Sequence, residues 1–366
     1  MSMFDDFFEL TSLTIGFCQG SFLLHGTAGG STAADLDVPD TPVGTSAKAA
    51  PSDKTPAKPK VVARRLAAVG QRVGGIAKAR GSFRAGSHTE AGRTLGYKLY
   101  VPPSARGRHT GLVVMLHGCS QDPDDFARGT RMNTLARALG LCVLYPAQSA
   151  EGHRSRCWNW FKHNHQRRGS GEPAVIAGMT QAVLRTHRID PARVYIAGMS
   201  AGGAMAATVA AEYPDLFAAA AVHSGLPHGA AHDAGGALSA MFTGRGESLA
   251  DAAARPAVPT IVFHGDHDQT VHPRNGARVI EAAVVCGCGH EGGHLPRVLA
   301  GVAPGGRHYT RSVYADCGGA VRGEHWLVHG AGHAWSGGQA DGSYTDATGP
   351  DASAEVLRFF MDHPRA

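Results

Sequence analysis

The stretch Val194-Tyr195-Ile196-Ala197-Gly198-Met199-Ser200-Ala201-Gly202 decides how this chain is read. An apolar run of strand character leads into G-x-S-x-G. That spacing lets a chain turn sharply from strand into helix and leave one hydroxyl exposed at the tip. Glycines flank the serine because a side chain there clashes in so tight a turn. In a chain with 49 glycines the pattern alone establishes little. Its weight depends on an acid, a histidine and oxyanion donors standing at the right places around it.

Outward from this turn, strand and helix patterns alternate. Apolar segments at 95–101, 111–116, 141–145, 194–197, 217–222, 260–263 and 326–328 predict strands. The run 111–116, GLVVML, is apolar throughout, as a buried parallel strand requires. Pro146 is expected to stop the strand before it. Helical spacing predicts helices over 130–139, 173–187, 201–211, 275–285 and 352–361. Such alternation implies right-handed crossovers and an α/β fold, a mostly parallel sheet with helices on both faces.

Composition divides the chain in two. Residues 1–85 read as a low-complexity N-terminal arm and basic linker, largely disordered, and 86–366 as the catalytic domain. AKAAPSDKTPAKPK at 47–60 is a solvated tether by composition, and Arg64, Arg65, Arg72, Lys78, Arg80 and Arg84 follow it. A soluble tether is preferred over an arm for an acidic partner. Charged residues are 18%, hydrophobic residues 43% and the formal net charge +5. No basic stripe is interleaved with aromatics, which argues against nucleic acid as a partner. No run of about twenty apolar residues predicts a transmembrane helix. The N-terminus is acidic, and its first basic residue is Lys48. A secretory signal needs early basic residues, so a cytoplasmic location is expected.

A serine hydroxyl needs a base, and the base needs a third group to orient it. Downstream of Ser200, the segment 260–263 runs into His264-Gly265-Asp266-His267-Asp268, and 326–328 runs into His329-Gly330-Ala331-Gly332-His333-Ala334-Trp335. Nucleophile, acid, histidine is the order that this fold class uses. Asp268, further into its loop, is preferred over Asp266 as the acid, and His333 over His329 as the base. Oxyanion donors are expected at the amide of Ala201 and in the loop after GLVVML. There Cys119 is the first choice and Ser120 the fallback.

With these motifs in place, the chain resembles the poly(3-hydroxybutyrate) depolymerase family of serine esterases. More distantly it is similar to feruloyl and acetylxylan esterases. The resemblance rests on LHGCSQDPDDFARGTRMN, YPAQS, CWNWF, GMSAGGAMA, HGDHDQTVHPRNG and HGAGHAWSGG. It implies an α/β-hydrolase fold, ester hydrolysis through an acyl-enzyme and no cofactor. It assigns Ser200 as nucleophile, Asp268 as acid, His333 as base and Cys119 to the oxyanion loop. Family members are often secreted, so an extracellular location is the alternative to the cytoplasm.

The chain ends shortly after its last expected helix, so no C-terminal polymer-binding module is expected. Amorphous polymer, oligoesters or small acyl esters are therefore expected as substrates in preference to crystalline polyester. Trp158, Trp160, Trp335 and Ser120 are candidate substrate-binding residues, with core packing the competing reading for the tryptophans. Cys119 and Cys157 both lie in motifs near the proposed site and are candidates to pair. Cys286, Cys288, His290 and His294 resemble a metal-ligand cluster, but their spacing matches no familiar zinc pattern, and no metal is expected. Asp351 and Ser353 read as caps of the last helix. A feruloyl- or acetylxylan-type carboxylesterase is the second reading, and a non-catalytic binding protein of the same fold the third.

Overall fold

Period-two alternation sends the side chains of each central strand to opposite faces of one sheet. On β3 (Gly111–Leu116), Leu112, Val114 and Leu116 join one core while Val113 and Met115 join the other. On β5 (Val194–Met199), Val194 and Ile196 part from Tyr195, Ala197 and Met199 in the same way. Both faces must then be covered, and helices cover both.

The computed structural model describes residues 81–104, 107, 109–246, 257–284 and 295–365. The arm before Gly81 lies outside them, as do Cys286, Cys288, His290 and His294. The remaining strands of the main sheet are β1 (Ser82–Glu90), β2 (Arg93–Val101), β4 (Leu141–Ala147), β6 (Ala219–His223), β7 (Thr260–Gly265), β8 (Arg297–Val302), β9 (His308–Ala315) and β10 (Val321–Val328). Together they form a 10-stranded sheet in the order β1-β2-β4-β3-β5-β6-β7-β10-β9-β8. The run β4-β3-β5-β6-β7-β10 is parallel, and an antiparallel pair extends it at each end.

One face is covered by α3 (Gly171–Thr186), α4 (Ala201–Glu212) and α5 (Ala234–Thr243), through Val175, Met179, Met205 and Met241. The other is covered by α1 (Pro123–Thr130), α2 (Met132–Leu139) and α7 (Ala352–Asp362), through Phe126, Met132, Phe359 and Phe360. Helix α6 (Arg274–Val284) packs Val279 and Ile280 against Val222 and Val262. Among the described residues no helix is long and apolar enough to cross a membrane.

The expected α/β architecture is present, with local differences. The ordered fold starts before Gly86: β1 begins at Ser82 and pairs with β2 across the two-residue turn Ala91-Gly92, both at positive φ (49° and 71°). The helix expected over 130–139 begins at Met132, because Arg131 adopts φ 55° and separates α1 from α2. Strand β4 runs past Pro146 to Ala147. Its pairing with β3 ends at Leu144, so the missing N–H of Pro146 costs no bond on that side. Asp351 caps α7 by accepting from the Ala354 N–H at 3.1 Å.

Cys119 and Cys157 form a disulfide with a Cα–Cα distance of 4.3 Å, joining the loop after β3 to the loop after β4. The bridge closes a loop of sequence separation 38. Removing it with Cys119→Ala/Cys157→Ala is expected to lower the unfolding free energy by about 3–4 kcal/mol in urea titrations, from loop-closure entropy. Unchanged stability would show that the loop is ordered without it.

Candidate active site

Ser200 sits between β5 and α4 at φ 56° and ψ −123°, a strained conformation for a non-glycine residue. The turn closes because its flanks are glycine. A Cβ on Gly198 would strike the Gly202 carbonyl, and one on Gly202 would strike the carbonyls of Leu116 and His117. The Ser200 N–H donates to the His223 carbonyl at 2.9 Å, tying the elbow to the end of β6.

The acid and base candidates lie on the loops after β7 and β10. His333 Nδ1 donates to Asp268 Oδ2 at 2.7 Å. The other oxygen, Oδ1, accepts the N–H groups of Thr270 and Val271, each at 2.9 Å. Burial alone would raise the Asp268 carboxyl. The charge of His333 and hydrogen bonds from His264 and His333 overcome that and hold it far below the usual carboxylate range. An ionised Asp268 accepts at Nδ1–H, so the neutral His333 ring leaves Nε2 without a proton, as a general base requires.

The two competing candidates pair with each other instead. His329 Nδ1 donates to Asp266 Oδ2 at 2.8 Å, and the Gly330 N–H donates to Asp266 Oδ1 at 2.7 Å. With the backbone bonds from Asp266 N to Val328 O (3.1 Å) and His267 N to Ala331 O (3.0 Å), this pair staples the acid loop to the base loop. His264 went unassigned in the sequence. It lies fully buried at the end of β7, with Nε2 2.8 Å from the Val271 carbonyl and 3.4 Å from Asp268 Oδ2. A histidine closing an otherwise apolar strand was the available signal.

The oxyanion candidates divide by how their amides are used. The Ser120 N–H is spent on the Ser155 carbonyl at 2.7 Å, which removes the fallback. Among the described residues the N–H groups of Cys119 and Ala201 donate to no protein acceptor. Gly118 lies against the nucleophile, its Cβ position 3.6 Å from Ser200 Cβ.

The three tryptophans do not line an open site. Trp158 is fully buried and donates Nε1–H to the His117 carbonyl at 3.0 Å. Trp160 packs edge-on to Phe161 in the core, with ring centroids 5.5 Å apart. Trp335 stacks on His223 at 4.9 Å and donates to Ser353 Oγ. Each indole is therefore buried in the core. Ser120 is exposed, at φ 63°. No group of metal-ligating side chains occurs among the described residues.

Burial pushes three histidines down, His117 to about 4, His223 to about 3 and His325 to about 4. Unfolded, each binds a proton below pH ~6.5 while the folded state refuses it, so their neutral form costs nothing above ~6.5 and penalises folding below it. Unfolding free energy is expected to fall by up to about 1.4 kcal/mol per histidine per pH unit between ~6.5 and ~4. Urea midpoints at pH 7, 6 and 5 check this, and a flat profile would contradict neutral burial.

Comparisons with known proteins converge on one family of esterases. A family model described as esterase PHB depolymerase matches residues 95–285. Poly(3-hydroxyalkanoate) depolymerase C of Paucimonas lemoignei is 31% identical over 243 residues, 63% of this chain and 56% of that protein. Probable acetylxylan esterase A of Aspergillus fumigatus is 28% identical over 197 residues, 48% of this chain and 51% of that protein. The chain thus spans about half the length of these two relatives. Feruloyl esterase B of Thermothelomyces thermophilus is 29% identical over 236 residues, 60% of this chain and 77% of that protein. Among solved structures, an acetyl xylan esterase from Aspergillus awamori superposes with a TM-score of 0.60 at 21% identity, covering 77% of this chain and all of that one. That likeness identifies the sheet and helices as an α/β-hydrolase fold. With its family match extending over more than half of its length, the chain belongs to the esterase PHB depolymerase family.

Proposed function

We propose that this protein is a carboxylic ester hydrolase acting on short-chain hydroxyalkanoate polymers or oligomers through an acyl-enzyme. The 2.7 Å bond from His333 to Asp268, on the loops of the sheet edge that also carries Ser200, is the observation that carries the reading. In the proposed reaction His333 Nε2 takes the Ser200 proton as Oγ attacks the ester carbonyl. The amides of Cys119 and Ala201 hold the oxyanion, and His333 returns the proton to the leaving alcohol. Water, activated by the same histidine, then releases the hydroxyacid. Asp268 stays ionised throughout and stabilises the imidazolium.

The hydroxyalkanoate class is favoured by the depolymerase relative, which aligns over more of this chain than the acetylxylan esterase does. An acetyl- or feruloyl-ester substrate is the second reading, favoured by the acetyl xylan esterase whose whole chain superposes on this one. The Cys119–Cys157 bridge supports an oxidising compartment, the alternative to the cytoplasm expected from the N-terminal sequence.

Ser200→Ala is expected to reduce turnover of p-nitrophenyl butyrate by at least about 10⁴-fold, and Asp268→Asn by about 10³–10⁴-fold, without loss of fold. Retained turnover in Ser200→Ala, or fluorophosphonate labelling that persists in it, excludes this serine as nucleophile. Rates on hydroxybutyrate oligomers, amorphous poly(3-hydroxybutyrate), feruloyl esters and acetylated xylan then separate the substrate classes.

A further inference from the structure

The motifs YPAQS and CWNWF and the start of α3 converge on one fully buried carboxylate, Glu172. Its Oε1 accepts from Gln148 Nε2 and Asn159 Nδ2, each at 2.6 Å. Its Oε2 accepts the Asn159 N–H at 2.8 Å and faces His165 Nδ1 at 3.3 Å. Three hydrogen-bond donors, with the His165 ring beside them, satisfy an ionised carboxylate. Nothing in the proposed reaction uses it directly.

Gln148 connects this carboxylate to the oxyanion loop. Its side-chain amide is held by Glu172 and by the Cys157 carbonyl at 3.1 Å, and its backbone N–H donates to His117 Nε2 at 3.1 Å. A ring nitrogen that accepts carries no proton, so the proton of the neutral ring is on Nδ1. His117 Nδ1 lies 2.8 Å from the Gly118 carbonyl and donates to it. That carbonyl belongs to the same peptide plane as the Cys119 N–H. In a trans peptide the two point in opposite directions. Pinning the Gly118 carbonyl therefore aims the Cys119 amide. Trp158 Nε1–H on the His117 carbonyl and the Cys119–Cys157 bridge hold the neighbouring atoms.

We propose that His117, held by Gln148 and Glu172, is a positioning residue of the oxyanion hole: with the longer bond from the Gln121 N–H at 3.4 Å, it fixes the Gly118–Cys119 peptide so that the Cys119 N–H faces the developing oxyanion. This inference rests on the esterase reading of Ser200. It predicts that disturbing the relay lowers kcat, because the oxyanion forms in the transition state, and leaves ground-state binding nearly intact.

The test uses the full chain with p-nitrophenyl butyrate, the active serine titrated by a fluorophosphonate and kcat expressed per titrated serine. His117→Leu and Gln148→Met are expected to lower kcat about 10–100-fold with KM within about twofold. Phenylboronic acid, whose serine adduct places an oxygen in the same hole, should bind more weakly by a similar factor. His117→Asn retains a donor near Nδ1 and should recover most of the loss. Glu172→Gln, isosteric with the native side chain, should lower kcat in the same direction and carries the test where the other variants do not fold. A merely structural role would lower the titrated fraction and leave kcat per serine within about threefold of the parent, and that result overturns the proposal. Activity surviving in Ser200→Ala would instead overturn the esterase reading and is read independently.

Discussion

The site depends on one close approach, that of α4 to the end of β3. Gly202 lies where any side chain would meet the Leu116 and His117 carbonyls. That contact sets the elbow, and with it Ser200, against the loop that follows β3, where Gly118 lies against Ser200. The positive φ of Ser200 is the strain that this packing imposes, and the surrounding core over-determines it. Parallel strands supply the rest, because their carboxyl ends all open on one edge and their loops meet there.

Two of those loops are joined before they do any chemistry. The Asp266–His329 pair and the backbone bonds beside it tie the turn after β7 to the turn after β10. Asp268 and His333 then sit on a stapled pair of loops, so their bond forms with little conformational freedom left to lose. The arrangement resolves an ambiguity present in the chain, where two aspartates and two histidines compete within a few residues. Both pairs form, one partly exposed and one buried, and the buried pair is the one whose carboxylate is shielded from water.

Much of this was legible in the sequence because local rules govern it. Continuous apolar runs gave away the parallel strands, and the order of Ser200, Asp268 and His333 followed from loop positions. Of the antiparallel flanks only β2 was legible: β1, β8 and β9 carry mostly exposed or half-exposed side chains, without the buried apolar run of the central strands. Aromatic content left Trp158, Trp160 and Trp335 open between substrate binding and core packing, and in the fold all three are buried. The relay from Glu172 through Gln148 to His117 was invisible, because its contacts span 24 and 31 residues and each uses a polar group of ordinary type. Only the fold makes those residues neighbours.

The site thereby contains two buried carboxylates acting on two histidines, with opposite results. Asp268 accepts from His333 Nδ1 directly and leaves Nε2 bare, the tautomer that can take a proton. Glu172 acts at one remove. It holds Gln148, whose N–H occupies His117 Nε2 and leaves the proton on Nδ1, the tautomer that can pin a carbonyl. Burial keeps His117 neutral down to about 4, so it does not exchange roles with His333 at the pH where a serine esterase works. A ring that titrated there would gain a proton on Nε2 and lose the Gln148 N–H bond that orients it each time it was protonated. In this reading the low dielectric around His117 is as much a part of the oxyanion hole as the amide that it aims.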